Sequence, residues 1–234
     1  MKKPALAGFF LTSPGTLAVR YHAGMKILAI DDHELVREGL RHVLHMLGDG
    51  IDVIQADNAQ QAFLVLISHR DLDLILLDYH LPDMTGLEMQ QQLGRRAPEV
   101  PVLMISGMAN AQLMRQVLTA GAAGFISKSN SSAALLKAIK VVLDGGIYTP
   151  EDLRDLEGLI VDGTMPKRAS LSRTQERVFR CMIDGMSNRD IAHKLDIGEE
   201  TVKSHVSSIL RHFDVQNRTQ AVLAGVNYGF RPGI

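Results

Sequence analysis

The chain has 234 residues, 46% of them hydrophobic and 22% charged. That balance excludes wholesale disorder and a fibrous repeat, and the length suits one large domain or two ordinary ones. A single cysteine, Cys181, excludes a disulfide framework and cysteine-based zinc fingers and fits a reducing compartment. No apolar run approaches the roughly 18–20 residues that span a bilayer, so a cytoplasmic chain with no membrane partner is expected.

The formal net charge of −1 argues at first sight against a nucleic-acid binder. Its distribution argues the other way. Residues 26–146 carry 10 basic and 14 acidic side chains, net −4. Residues 147–165 carry 1 basic and 5 acidic, again −4, whereas residues 166–234 carry 11 basic and 7 acidic, net +4. An acidic body joined to a basic tail is a reason to look for a nucleic-acid module at the basic end.

The opening residues 1–24 contain Lys2, Lys3 and a short apolar patch broken by Gly8 and followed by Pro14 and Gly15. That patch is too short for a secretory signal, so a disordered or non-native extension is expected, with Met25 as the natural start. Apolar runs then alternate with amphipathic stretches. Strands are expected at Lys26–Ile30, Asp52–Ala56, Leu74–Leu77, Pro101–Ile105 and Gly124–Ser127. Helices are expected at His33–Leu47, Asn58–Ser68 and Leu87–Leu93, then before Leu118 and at Ser131–Leu143. Five such βα units indicate a doubly wound parallel sheet covered on both faces.

Gly145 and Gly146 end the alternation. Residues 147–168 are acidic, hold Pro150, Gly158, Gly163 and Pro166, and read as a linker with one short helix near Glu151–Ile160. From residue 169 onward the pattern is four helices. A Ser172-x-x-Gln175 capping box opens the first, and Gly185 closes it. Asn188–Leu195 and Glu199–Phe213 are joined through Asp196-Ile197-Gly198, the spacing of a helix-turn-helix. Asn217–Tyr228 is the last.

Ligands of doubly wound sheets bind outside the carboxyl ends of the strands. Asp31 and Asp32 follow the first strand, Asp78 the third, Ser106 the fourth and Lys128 the fifth. Crowded carboxylates suit a hard divalent cation, and Mg²⁺ prefers oxygen ligands. Asp78 then has the position of a nucleophile toward phosphorus, Lys128 of a charge for a phosphate oxygen, and Ser106 of a hydroxyl that bonds the new phosphate. Singly, such acids are as often helix caps, and such a lysine is more often solvated.

In the tail, Val202, Val206, Ile209, Leu210 and Phe213 form one apolar stripe of the third helix. The opposite face offers Glu200, Lys203, Ser204, Ser207, Ser208 and Arg211, mostly short polar side chains that permit close approach to a major groove.

Taken together, Ile30-Asp31-Asp32-His33, the run from Leu77 to Gly86, Ser106-Gly107 and Gly124-Phe125-Ile126-Ser127-Lys128 resemble the receiver domain of two-component response regulators. The tail resembles the LuxR-type DNA-binding domain through Leu171-Ser172, Gly185-Met186-Ser187-Asn188, Ile191-Ala192, Thr201-Val202-Lys203-Ser204-His205 and Arg218. The resemblance to the NarL/LuxR type implies a flavodoxin-like receiver at 25–146, a linker at 147–168 and a helix-turn-helix domain at 169–234. It implies that Asp78 takes a phosphoryl group from a sensor histidine kinase. Asp31, Asp32, Asp78 and the backbone carbonyl of His80 would hold Mg²⁺. Ser106 would be the switch hydroxyl and Phe125 the switch aromatic, turning inward on activation. Lys203, Ser204 and Ser207 would read bases of double-stranded promoter DNA, with Thr201, His205, Asn188 and Arg211 on phosphates. The last helix would pair in a homodimer.

Three departures stand out. Ser129 replaces the proline common after the lysine, Gly198 replaces a serine helix cap, and His212-Phe213 replaces Lys-Leu. Two other functions compete with a regulator. A phosphohydrolase would want a second acid two residues after Asp78, where His80 stands, and would leave the tail without a role. A phosphate-independent regulator would not need the complete pocket.

Overall fold

The computed structural model describes residues 24–48, 50–97, 99–108, 110–149 and 171–230. The expected extension, except for Gly24, and the linker from Pro150 to Arg168 with its short helix lie outside the described residues.

The first unit alternates β1 (Lys26–Ile30), α1 (Glu34–His45), β2 (Asp52–Ala56), α2 (Ala59–Ser68), β3 (Leu74–Asp78), α3 (Gly86–Arg96), β4 (Val102–Ser106), α4 (Ala111–Thr119), β5 (Gly124–Ser127) and α5 (Ser132–Leu143). All ladders are parallel and the strand order is β2-β1-β3-β4-β5. The order reverses between β1 and β3, which opens a crevice at their carboxyl ends.

Residue alternation in the strands builds both faces. Leu28, Ile30, Ile75, Leu77 and Met104 pack with Leu66, Met89, Leu93 and Val117 under α2, α3 and α4. Ile27, Ala29, Leu74, Leu76 and Leu103 pack with Leu40, Leu44, Ile139 and Val142 under α1 and α5. The inner strands are largely apolar because both faces are covered, whereas edge strand β2 carries the exposed Asp52.

The second unit comprises α6 (Arg173–Ile183), α7 (Asn188–Leu195), α8 (Glu199–His212) and α9 (Arg218–Asn227). Capping boxes open α6 at Ser172 and Gln175 and α7 at Ser187 and Asp190. Its own core gathers Phe179, Met182, Ile191, Val202, Val206, Ile209 and Phe213. Gly198 precedes α8 without any side-chain cap, the weakness expected of that residue. The left-handed residue of the α7–α8 turn is Asp196 (φ 56°), not the glycine. Aspartate tolerates that region because its short side chain bonds locally.

A small apolar contact of Leu118, Leu223 and Ile147 joins the two units. Gln220 Nε2 donates to the Thr119 carbonyl at 3.1 Å. Asn217 lies directly on Gly121, whose φ of +97° and missing side chain allow the approach. The N-terminal end of α9 therefore faces the first unit in this arrangement.

Candidate functional site

The strand ends bring the expected residues together. Asp31 and Asp78 are buried, and Ser106 is completely so. Lys128 Nζ lies 2.7 Å from Asp31 Oδ2 and 2.9 Å from Asp78 Oδ2, bridging the two carboxylates. Its backbone N–H donates to the Ser106 carbonyl at 2.8 Å, tying the ends of β4 and β5. The Ser106 hydroxyl oxygen accepts from the Met108 N–H at 3.1 Å.

Burial raises the Asp78 carboxyl above the ordinary range, helped by the Asp31 charge and opposed by Lys128. Burial alone would lower Lys128, but the hydrogen bonds to Asp31 and Asp78 outweigh it and hold the ammonium above its usual value. The site is thus an acidic pair with one internal cation.

Oxygen and nitrogen atoms of Asp31, Asp32, His33 and Asp78 lie within 4.8 Å of one another, close enough to share a cation. Asp78 Oδ1 is shielded from solvent and has no hydrogen-bonding partner among the described residues. An orphaned carboxylate oxygen among hard donors fits a divalent ion of the Mg²⁺ class. His33 was not anticipated here. Its Nδ1 lies 2.6 Å from Asp32 Oδ1, and its N–H donates to Asp31 Oδ1 at 2.9 Å. The signal available was its place directly after two acids.

The loop after Asp78 is fixed from two sides. Asp83 accepts from Ala59 N and Gln60 N, each at 3.0 Å, so it doubles as an N-terminal cap of α2. Those bonds hold its carboxyl below the usual range against the opposing effect of burial. Thr85 and Glu88 form a capping box that opens α3. Gly86 sits where a Cβ would come within 2.6 Å of the Asp78 carbonyl oxygen and 2.7 Å of Tyr79 Cα. Those neighbours are backbone and cannot swing away. We expect Gly86→Ala to displace Asp78 and cost about 1–3 kcal/mol, which a melting curve checks.

The Phe125 ring is already fully buried. The Lys128–Ser129 peptide is trans, as are all described peptides.

In the second unit, Glu200, Thr201, Ser204, Ser207 and Arg211 are exposed, while Asn188, Lys203 and His205 are half-buried. Ser207 Oγ donates to Glu99 Oε1 across the interface at 3.2 Å. Neither Glu99 nor the role of Arg218 was anticipated. Arg218 hydrogen-bonds the Met186 carbonyl and, at 3.2 Å, Asn188 Oδ1, which ties α9 to the start of α7. Burial lowers its pKa to about 10, with Glu99 acting in the opposite sense.

Comparison with known proteins bears on both units. Residues 27–140 match the response regulator receiver domain, and residues 169–224 match the bacterial regulatory proteins of the luxR family. The Glycerol metabolism activator of Pseudomonas putida is 38% identical over 213 residues, covering 88% of this chain and 96% of that protein. The chain is a response regulator with a luxR-family DNA-binding domain. The transcriptional regulatory protein DegU of Brevibacillus brevis is 33% identical, with 88% and 94% covered. A crystal structure of a LuxR-family two-component response regulator from Aurantimonas sp. aligns at a TM-score of 0.51 and 26% identity. It covers 55% of this chain and 91% of that one. The first unit of this response regulator is therefore its receiver, and the second its DNA-binding domain. No described helix is long and apolar enough to cross a membrane.

Proposed function

We propose that this regulator is switched by phosphorylation of Asp78, in a cytoplasmic setting, with a sensor histidine kinase as donor. The observation that carries the reading is the buried Asp78 carboxylate at the end of β3, one oxygen on Lys128 and the other unpartnered. Asp31, Asp32, Asp78 and the His80 carbonyl would hold Mg²⁺, which when bound neutralises phosphoryl oxygens. A carboxylate oxygen of Asp78 attacks phosphorus, the bond from phosphorus to the donor nitrogen or oxygen breaks, and an acyl phosphate results. Lys128 then pairs with a phosphoryl oxygen. The Ser106 hydroxyl, leaving its present contact with Met108 N–H, bonds another. Phe125, on β5 in the core face beneath α3 and α4, follows Ser106. Mg²⁺-dependent labelling by acetyl phosphate tests this chemistry.

Output is through α8. Lys203, Ser204 and Ser207 would meet base edges of promoter DNA, and Thr201, His205, Asn188 and Arg211 phosphates, with a homodimer as the bound form. Lys203 is paired to Glu200 at 2.8 Å and is held above its usual pKa by that hydrogen bond, so it stays charged. On a duplex selected by the wild-type protein from a random pool, Lys203→Ala is expected to lower affinity by about 1–3 kcal/mol and to flatten the salt dependence. Unchanged titrations at two salt concentrations would remove Lys203 from the interface.

A further inference from the structure

Glu99 lies between α3 and β4, at the amino ends of the strands and so away from the acidic pocket. Four groups of the DNA-binding domain converge on its carboxylate. Ser207, on α8, donates to it at 3.2 Å. Asn188, the first residue of α7, lines the same cavity as Glu99, as do Lys203 and Arg218, whose charges attract the carboxylate. Arg218 is the first residue of α9. One receiver carboxylate thus faces the amino ends of α7 and α9 and the outer face of α8. Helix amino ends carry partial positive charge, and with two cations and the Ser207 hydroxyl they form a site for an oxyanion.

Three of the four, Asn188, Lys203 and Ser207, are the residues assigned above to DNA. A carboxylate and a phosphodiester each present two oxygens sharing one negative charge. We propose that Glu99 is an internal stand-in for a DNA phosphate, so that receiver and duplex compete for one set of donors. The proposal rests on the DNA contacts of the previous section and adds the group that blocks them.

The contact is poised rather than strong. Burial raises the Glu99 carboxyl despite Ser207, Arg218, Asn188 and Lys203, and burial lowers Arg218 despite Glu99. Each charge is held at a cost that the other reduces. Reversing Glu99 turns that attraction into repulsion, which weakens the interface. Apolar packing does little to compensate. A cavity of about 240 Å³ borders Glu99, between Val100, Pro101 and Ile147 on one side and Asn217, Arg218 and Val222 on the other.

The test uses the full chain without acetyl phosphate and a short duplex of arbitrary sequence, since phosphate contacts alone support such binding at low salt. Glu99→Arg sets a cation against Lys203 and Arg218. It is expected to raise affinity about tenfold, toward that of acetyl phosphate-treated wild type, and to increase the radius of gyration in scattering without DNA. Asp52→Arg makes the same charge change on an exposed residue of β2, the far edge of the sheet. It is expected to stay within about twofold of wild type and to leave the radius unchanged. If Glu99→Arg matches Asp52→Arg in both readouts while treated wild type binds, the stand-in is wrong. If treated wild type and Glu99→Arg both fail to bind duplex, the underlying DNA contacts are wrong, and the stand-in falls with them.

Discussion

Asp78→Asn is expected to reduce acetyl phosphate labelling to background. The amide is a poor nucleophile toward phosphorus and cannot yield an acyl phosphate. It also removes the charge on which Lys128 is poised, since Nζ now lies between Asp31 and Asp78. The fold should survive, because Asn keeps the shape of Asp78 and relieves the repulsion with Asp31 that helps raise its pKa. Three measurements make the case: mass spectrometry after acetyl phosphate, the same with the divalent ion chelated, and a melting curve. Labelling of Asp78→Asn at the wild-type rate would place the phosphoacceptor elsewhere. Labelling of wild type that persists under chelation would refute the cation site at Asp31, Asp32 and Asp78.

The second large effect is on stability and belongs to the other domain. Phe179 is fully buried. Its ring lies 4.7 Å from that of Phe213 and 5.2 Å from that of Phe230, centroid to centroid. Gly225 on α9 packs so close to it that a Cβ there would collide with the ring. Phe179→Ala should cost about 3–5 kcal/mol. A domain of about 60 residues has only about 3–9 kcal/mol to lose, at roughly 0.05–0.15 kcal/mol per residue. The DNA-binding domain should therefore melt at or near ambient temperature, and duplex binding should vanish while Asp78 still labels. Calorimetry with a labelling assay distinguishes this from general misfolding. One unchanged transition, with DNA binding intact, would show that α6 is not the centre of this core.

How much of this was readable depends on the range of the interaction. β1, β2 and β5 begin and end where the sequence pattern places them, β1 and β5 because a parallel strand buried on both faces leaves no ambiguity of side. α3 was read as Leu87–Leu93 and runs from Gly86 to Arg96. Its start is set by the Thr85–Glu88 box, and a glycine at its first position disguised it. The pocket was legible because the topology alone brings five strand ends to one rim. His33 was missed because its contribution is a side-chain direction, not a position in the pattern. Glu99 and Arg218 were beyond reach for another reason. Nothing local marks a residue whose partner is on another domain, and the segment charges show only that the two halves attract. The inward Phe125 ring, too, is a matter of packing, which a sequence of apolar residues leaves open.

The seam between the domains has a mechanical property of its own. At two places it is made of turns that carry no side chain: Gly121 against Asn217, and Gly145, whose Cβ would come within 2.8 Å of the Met186 backbone. Side chains can rotate to follow a moving neighbour; bare backbone has no such slack. Gly121 directly follows α4, and the Thr119 carbonyl that receives Gln220 is the last residue of that helix. A displacement of α4 would therefore shift the Asn217 and Gln220 contacts together, with only those two side chains to follow it. A movement of α4 would thus be felt first at the amino end of α9, through Asn217 and Gln220.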